Sequence, residues 1–396
     1  MNDYQKGIIT LIKSALTQQA HPLPEGFNME DALIMIRWHH MMPLAFEGAV
    51  QCGLPQDTPA MQTMFQSYCK AIQINAGQMW ALGRIGAAFH QAGIDFMPLK
   101  GCCMKPRYPK EELRSMGDGD ILIRMEQYDR IVPVMESLGF TFREESNHEL
   151  QWTSPWLFVE LHKVLMPTYN PDFHGYFGDG WRLARPAYGT RYEMAPEDEF
   201  VYLFTHFAKH YRDGGIGCRH VADLWMFLRS FPDLDEEDVE RKLEKLCLGE
   251  FHRNMRRLMA VWFQDAPGDE KTDFMTDFIF SSGSFGTDLC RVQSRAVRDT
   301  RHAPRGVGGR LVYLWQTAFP GVPVLREKYR VLQKAPWLLP VVWVVRPFYK
   351  VLCEKGTIEK QRRNLRAVRP EELQTRQDAL DYVGLDYFLE TEENQG

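Results

Sequence analysis

The chain has 396 residues, of which 44% are hydrophobic, 25% charged and 12% aromatic, the composition of an ordinary folded protein of roughly two or three domains. Its 47 basic and 52 acidic side chains leave a formal charge of −5, which argues against wholesale nucleic-acid binding. Any anionic substrate must therefore be met by local cations or by a metal.

The first residues go directly into a helical pattern through Ile8, Ile9, Leu11, Ile12, Ala15 and Leu16, without the basic start and cleavage site of an export signal. The eight cysteines are scattered and form no Cys-x-x-Cys pair, so reduced thiols and a cytoplasmic setting are expected. Apolar residues keep helical spacing over 29–37 and again over 59–91, where Met64, Ala71, Ile72, Met79, Leu82, Ile85 and Phe89 recur. Ala92-Gly93 stops that helix.

The period then changes. Residues 94–99 fit a strand closed by Lys100-Gly101, and residues 102–107 start a helix that Pro106 and Pro109 interrupt. Residues 120–123 form a second strand, 127–138 an amphipathic helix, 140–143 and 150–153 a strand pair, and 156–162 a further strand. Alternating strands and helices define an α/β core. Pro196 followed by three acidic residues starts a helix, with the clearest helical patterns over 200–211 and 220–231. Residues 281–310, rich in Ser, Gly and Arg, read as a loop or linker. Residues 335–345 are about half as long as a membrane span and contain two prolines, so a buried helix or loop is expected rather than a spanning segment.

The chemistry concentrates at Asp118-Gly119-Asp120. On a strand, positions i and i+2 face the same side, so two carboxylates stand together. Such a pair is costly unless a cation neutralises it, and hard oxygen ligands suit Mg²⁺ or Mn²⁺. By itself this pattern carries little, because acidic pairs also occur on solvated turns. Three neighbours strengthen it: the Gly101 turn, where a helix start can hold phosphate; the apolar strand that follows; and Glu160 on a later strand.

With these residues in place, the chain resembles the DNA polymerase β-type nucleotidyltransferase superfamily, and within it a bacterial family of largely uncharacterised nucleotidyltransferases. The likeness rests on Leu99-Lys100-Gly101, Tyr108-Pro109, Arg114, Asp118-Gly119-Asp120 with its aliphatic strand, and Glu160-Leu161-His162. Looser matches extend it to Trp38–Leu44, His206–Asp223 and Pro336–Pro340. The resemblance implies an α+β fold, a small mixed-sheet core flanked by N-terminal and C-terminal helical regions. The expected divisions are a helical region at 1–92, the nucleotidyltransferase core at 93–195, a helical region packing on it at 196–280, and a linker with a helical, basic tail at 281–396. It further implies transfer of a nucleoside monophosphate from an NTP such as ATP to a hydroxyl acceptor. Asp118, Asp120 and Glu160 would hold the divalent cations, while Lys100, Gly101, Arg114, Lys209 and Arg219 would contact the nucleotide. The acceptor, whether small molecule, protein or RNA, is not legible.

The chain departs from the superfamily pattern in three places. The usual Gly-Ser turn is Lys100-Gly101, so Lys100 stands in for the missing hydroxyl as a point charge. Glu160 replaces the commoner Asp. Gly119 is a poor strand residue, expected to loosen the acid pair or admit a bulge, and with the missing serine it motivates an alternative reading as a catalytically degenerate nucleotide- or protein-binding module.

Other signals keep two readings each. His206 and His210 share a helical face with Lys209 nearby, and Arg219 and Asp223 follow on the next helix. They either contact phosphate or acceptor, or form a polar helix–helix network. His162 shares Glu160's side of the strand and orients a ligand or fills the core. The basic residues from Arg346 to Arg369 are either a solvated helix face or a contact for anionic lipid or nucleic acid, with Trp337, Trp343 and Phe348 favouring lipid.

Overall fold

A computed structural model of the chain describes residues 1–283 except 169 and, beyond them, 286, 290, 291, 293, 294, 319, 325, 331–345 and 370–385. The described residues fall into two compact units: 1–210 with 215–283 in one, and 211–214 with those from 286 onward in the other.

In the first unit, helices α1 (Asp3–Thr17), α2 (Met29–Trp38), α3 (Met42–Gln51) and α4 (Pro59–Gln91) come first. Helix α1 begins with a reciprocal Asn2–Gln5 capping box. Thr58 caps α4 and Pro59 sits in its first turn, where a missing N–H costs nothing. Seven strands then form one mixed sheet: β1 (Phe96–Pro98), β2 (Asp118–Ile123), β3 (Thr141–Glu145), β4 (Glu149–Thr153), β5 (Phe158–His162), β6 (Ala184–Tyr188) and β7 (Arg191–Met194). Their order is β3-β4-β5-β2-β1-β7-β6, with β2 parallel to β5 and antiparallel to β1.

Short helices α5 (Gly101–Met104), α6 (Tyr128–Ser137) and α7 (Pro171–Phe177) lie between the strands. After the sheet come α8 (Pro196–Asp213), α9 (Cys218–Ser230), α10 (Glu236–Lys245), α11 (Gly249–Phe263) and α12 (Glu270–Ser282). The fold is α+β, a mixed sheet flanked by helices.

Alternation divides the sheet into an apolar and a polar face. Ile121, Ile123, Val159, Leu161, Leu150 and Trp152 pack against Ala81, Ile85 and Phe89 of α4 and Ile131 and Met135 of α6. Their burial is the hydrophobic anchor of the unit. The opposite side of β2 and β5 is left to Asp118, Asp120, Glu160 and His162.

Two elements differ from expectation. The hairpin β6–β7 had no sequence signal, yet β7 pairs parallel to β1 at Phe96↔Arg191 and extends the sheet. The pairing of β2 with β5 runs without a register shift from Asp118↔Phe158 to Leu122↔His162, so Gly119 admits no bulge. A Cβ at Gly119 would lie 3.2 Å from a Leu157 methyl and 3.2 Å from a Leu82 methyl. The glycine therefore lets α4 approach the strand closely rather than loosening it.

In the second unit, Leu325, Leu332 and Val342 form a small apolar cluster. Trp337, Val341, Val344 and Val345 are exposed. Among the described residues no helix is long and apolar enough to cross a membrane. The basic residues 346–369 and most of the expected linker lie outside the described residues.

Gly119→Val overpacks the contact with Leu82 and Leu157 and is expected to lower stability by about 1–3 kcal/mol, read as a shift of the denaturant midpoint at unchanged slope. A midpoint equal to wild type would contradict the close-approach account.

Candidate active site

Strand pairing sets the site. Asp120 stands opposite Glu160 on adjacent parallel strands, and His162 follows two residues later on the same side. His162 Nε2 lies 2.8 Å from Asp120 Oδ1 and 3.6 Å from Glu160 Oε2. Ligand atoms of Asp120, Glu160 and His162 all fall within 4.8 Å of one another. His162 thus joins two of the expected trio in a compact group, while Asp118 stands two residues before Asp120 on the same side, opposite Phe158.

Lys100 closes the site from the turn after β1. Its Nζ is 2.7 Å from Asp120 Oδ1. The residue adopts φ 45° and ψ −113°, a conformation that a side chain rarely tolerates. Neighbouring contacts hold it there: Leu99 N–H donates to Asp120 O at 2.9 Å, and Lys100 O accepts from Met104 N at 2.9 Å. Gly101 is needed at the next position because a Cβ would meet Arg114 Nη1 at 2.5 Å. The helix that follows is a single turn, so it contributes little dipole, and the cation at this turn is the lysine itself.

The electrostatics separate the acids. Burial would raise the Asp120 carboxyl, but Lys100 and His162 hold it well below the usual carboxylate range. Burial and then Asp120 raise the Asp118 carboxyl. Burial, with the charges of Asp120, Glu149 and Asp118, pushes Glu160 up to about 8. Burial also lowers His162, with Lys100 acting in the same direction. Burial opposes the charge on the Lys100 ammonium, but Asp120, Tyr202 and Glu160 together more than offset that cost.

The remaining candidate residues divide. Arg114 is buried in a forked contact with Asp223, Nη2 to Oδ2 at 3.0 Å and Nε to Oδ1 at 3.3 Å, and Tyr108 also donates to Asp223 at 2.8 Å. Nε and Nη2 of Arg114 are thus held by Asp223, while Nη1 lies beside Gly101, where a Cβ would come within 2.5 Å of it. Arg219 donates to Ser115 O at 2.9 Å, and its charge acts on Asp118. His206 Nε2 is 3.2 Å from His210 Nε2, and burial, then Lys100, keep His206 well below its ordinary pKa. Lys209 is buried on the same helix.

The sequence reading missed Tyr202. Its hydroxyl is buried with no partner among the described residues, and the charges of Lys100 and Asp120 both act on it. Extending the His206–His210 spacing back by four would have found it. A cavity of about 390 Å³ is lined by Lys100, Tyr202, Cys103, Arg107, Arg191 and Glu199, among others.

A sheet with paired acids on its polar face and a lysine at the preceding turn defines a nucleotidyltransferase-like fold and site. Residues 25–264 match the family described as "Uncharacterised nucleotidyltransferase", more than half of the chain, and the protein belongs to that family. The match stops short of Pro336–Pro340. A solved structure similar to the chain is that of the antibiotic-resistance factor ANT(2'')-Ia, at 13% identity and a TM-score of 0.33, covering 48% of this chain and 100% of that one. No curated protein matches the sequence significantly.

Because Glu160 is protonated below about 8 and must ionise to bind a cation, divalent-cation affinity is expected to rise about tenfold per pH unit up to that value and flatten above it. Calorimetric titrations with Mn²⁺ at several pH values between 6 and 9 read this; an affinity independent of pH would refute it.

Proposed function

We propose that the protein transfers a nucleoside monophosphate from an NTP to a hydroxyl acceptor and releases pyrophosphate. The observation that carries this reading is the set of three carboxylates, Asp118, Asp120 and Glu160, on one face of paired parallel strands, with Lys100 bonded to Asp120. The donor set suits a divalent cation, since Asp120, Glu160 and His162 bring two oxygens and a nitrogen together. When bound there, such a cation would neutralise triphosphate charge and lower the pKa of the acceptor hydroxyl.

The chain's own residues supply the rest. Lys100, next to the Gly101 turn, and Arg219 are assigned to the triphosphate, and His206, on which the charges of Lys100, His210 and Lys209 act, is assigned with His210 and Lys209 to the same substrate region. Asp223 acts through Arg114, as a positioning residue. The acceptor oxygen bonds to the α-phosphorus while the bond to the oxygen bridging to the β-phosphate breaks. Pyrophosphate leaves with that electron pair, and the hydroxyl proton passes to the ionised Glu160 carboxylate. Positioning and charge neutralisation account for most of the rate in such a transfer. The alternative of a degenerate binding module keeps one of its two grounds, the serine missing from the turn at Lys100-Gly101; the other, Gly119 disturbing the strand, does not hold for a pairing that is regular.

Wild-type protein incubated with NTP, Mg²⁺ or Mn²⁺ and cell extract is expected to release pyrophosphate, and Asp120→Ala to reduce that rate by at least about 100-fold. Equal release by both proteins, or none by either, would defeat the proposal.

A cytoplasmic setting accompanies this reading, with peripheral membrane contact through residues 336–369. Support for the contact comes from the exposure of Trp337, Val341, Val344 and Val345 next to the basic stretch. Co-sedimentation with vesicles containing phosphatidylserine is expected, and Trp337→Ser with Val341→Ser should reduce it severalfold; sedimentation equal to that with neutral vesicles would remove this part.

A further inference from the structure

His162 is the one nitrogen donor in the acid group, and three observations give it a use beyond filling the core. Its Nε2 is turned to the carboxylates, 2.8 Å from Asp120 and 3.6 Å from Glu160. Those spacings bracket the ~3 Å separation of neighbouring ligand atoms around a six-coordinate cation with bonds of about 2.1 Å. The other ring nitrogen, Nδ1, is buried with no partner among the described residues, so no second contact locks the tautomer that donates to Asp120. The ring can instead hold its proton at Nδ1 and present the Nε2 lone pair. Finally, of the three carboxylates Lys100 Nζ is paired with Asp120, at 2.7 Å, so negative charge on the others is left for a cation to neutralise.

Resting on the reading above that this acid group holds a cation, we propose that His162 Nε2 is a direct ligand. The site is then a mixed nitrogen–oxygen one, holding a single first-row transition-metal ion in preference to Mg²⁺ before nucleotide arrives. Mg²⁺ favours an all-oxygen shell and gains little from imidazole, whereas transition-metal ions bind it well. The expected all-carboxylate trio would not make this distinction.

Mn²⁺ added to the full-length protein without nucleotide serves as the probe. Pulsed electron paramagnetic resonance of wild type is expected to show coupling to an imidazole ¹⁴N, with one Mn²⁺ bound per chain. The coupling should vanish in His162→Gln, whose amide can keep the hydrogen bond to Asp120, and persist in His206→Gln. His162→Gln should weaken Mn²⁺ binding at least about tenfold and change Mg²⁺ binding much less. Absence of nitrogen coupling in wild type, a test that needs no variant, would overturn the inference. Coupling that survives in His162→Gln would overturn it equally. Mn²⁺ binding that is lost in Asp120→Ala but lacks nitrogen coupling sinks only the role of His162. Binding indifferent to Asp120→Ala sinks the acid-site reading with it.

Discussion

The Asp120 carboxylate, buried and gripped at one oxygen by Lys100 Nζ and His162 Nε2, is the contact on which the site depends. An isolated carboxylate at that depth would be costly, so its partners are required as much as they are useful. Each arrives from a different direction: Lys100 from a strained turn, His162 from the neighbouring parallel strand. The sheet register, the turn conformation and the charge state of the site are therefore one problem with one solution. The strain at Lys100 is tolerable because its side chain and two backbone bonds hold it.

The rest of the polar face is arranged around that contact. The apolar side of the same strands is fixed by α4 and α6, which leaves β2 and β5 little freedom to slip, since a one-residue shift would carry the acids into the core. On the polar side, the Arg114–Asp223–Tyr108 network fastens α9 to the segment before β2. Buried pairs of this sort are weak evidence for net stability, but losing one partner is expensive, and here they fix where Arg219 stands.

Much of this was legible in the sequence where chemistry followed local periodicity. The two acids at i and i+2, the aliphatic run after them and the later Glu160-x-His162 strand each announce themselves within a few residues. What was hidden is non-local or exposed. Nothing near Arg114 tells that its partner is Asp223 on a distant helix. The β6–β7 hairpin consists largely of exposed residues, with Pro186 in one strand, so it lacks the alternation that marks a half-buried strand. Gly119 was misread because its reason lies in Leu82 on α4, not in its own strand. The third member of the compact group, His162, was visible only as a residue sharing Glu160's side; the parallel pairing of β2 with β5 brings it to Asp120.

The contact between Gly119 and Leu82 also restricts how such a sequence can drift. With methyls of Leu82 and Leu157 each 3.2 Å from where a Cβ would stand, position 119 gains volume only at a cost unless both leucines yield. The favoured order of change follows: smaller residues at 82 and 157 first, an aliphatic between the acids second. Taken in reverse, the intermediate carries the crowding directly into the strand that aligns Asp118 and Asp120. A long helix far from the chemistry in sequence thereby acts as gatekeeper of the residue between its two acids.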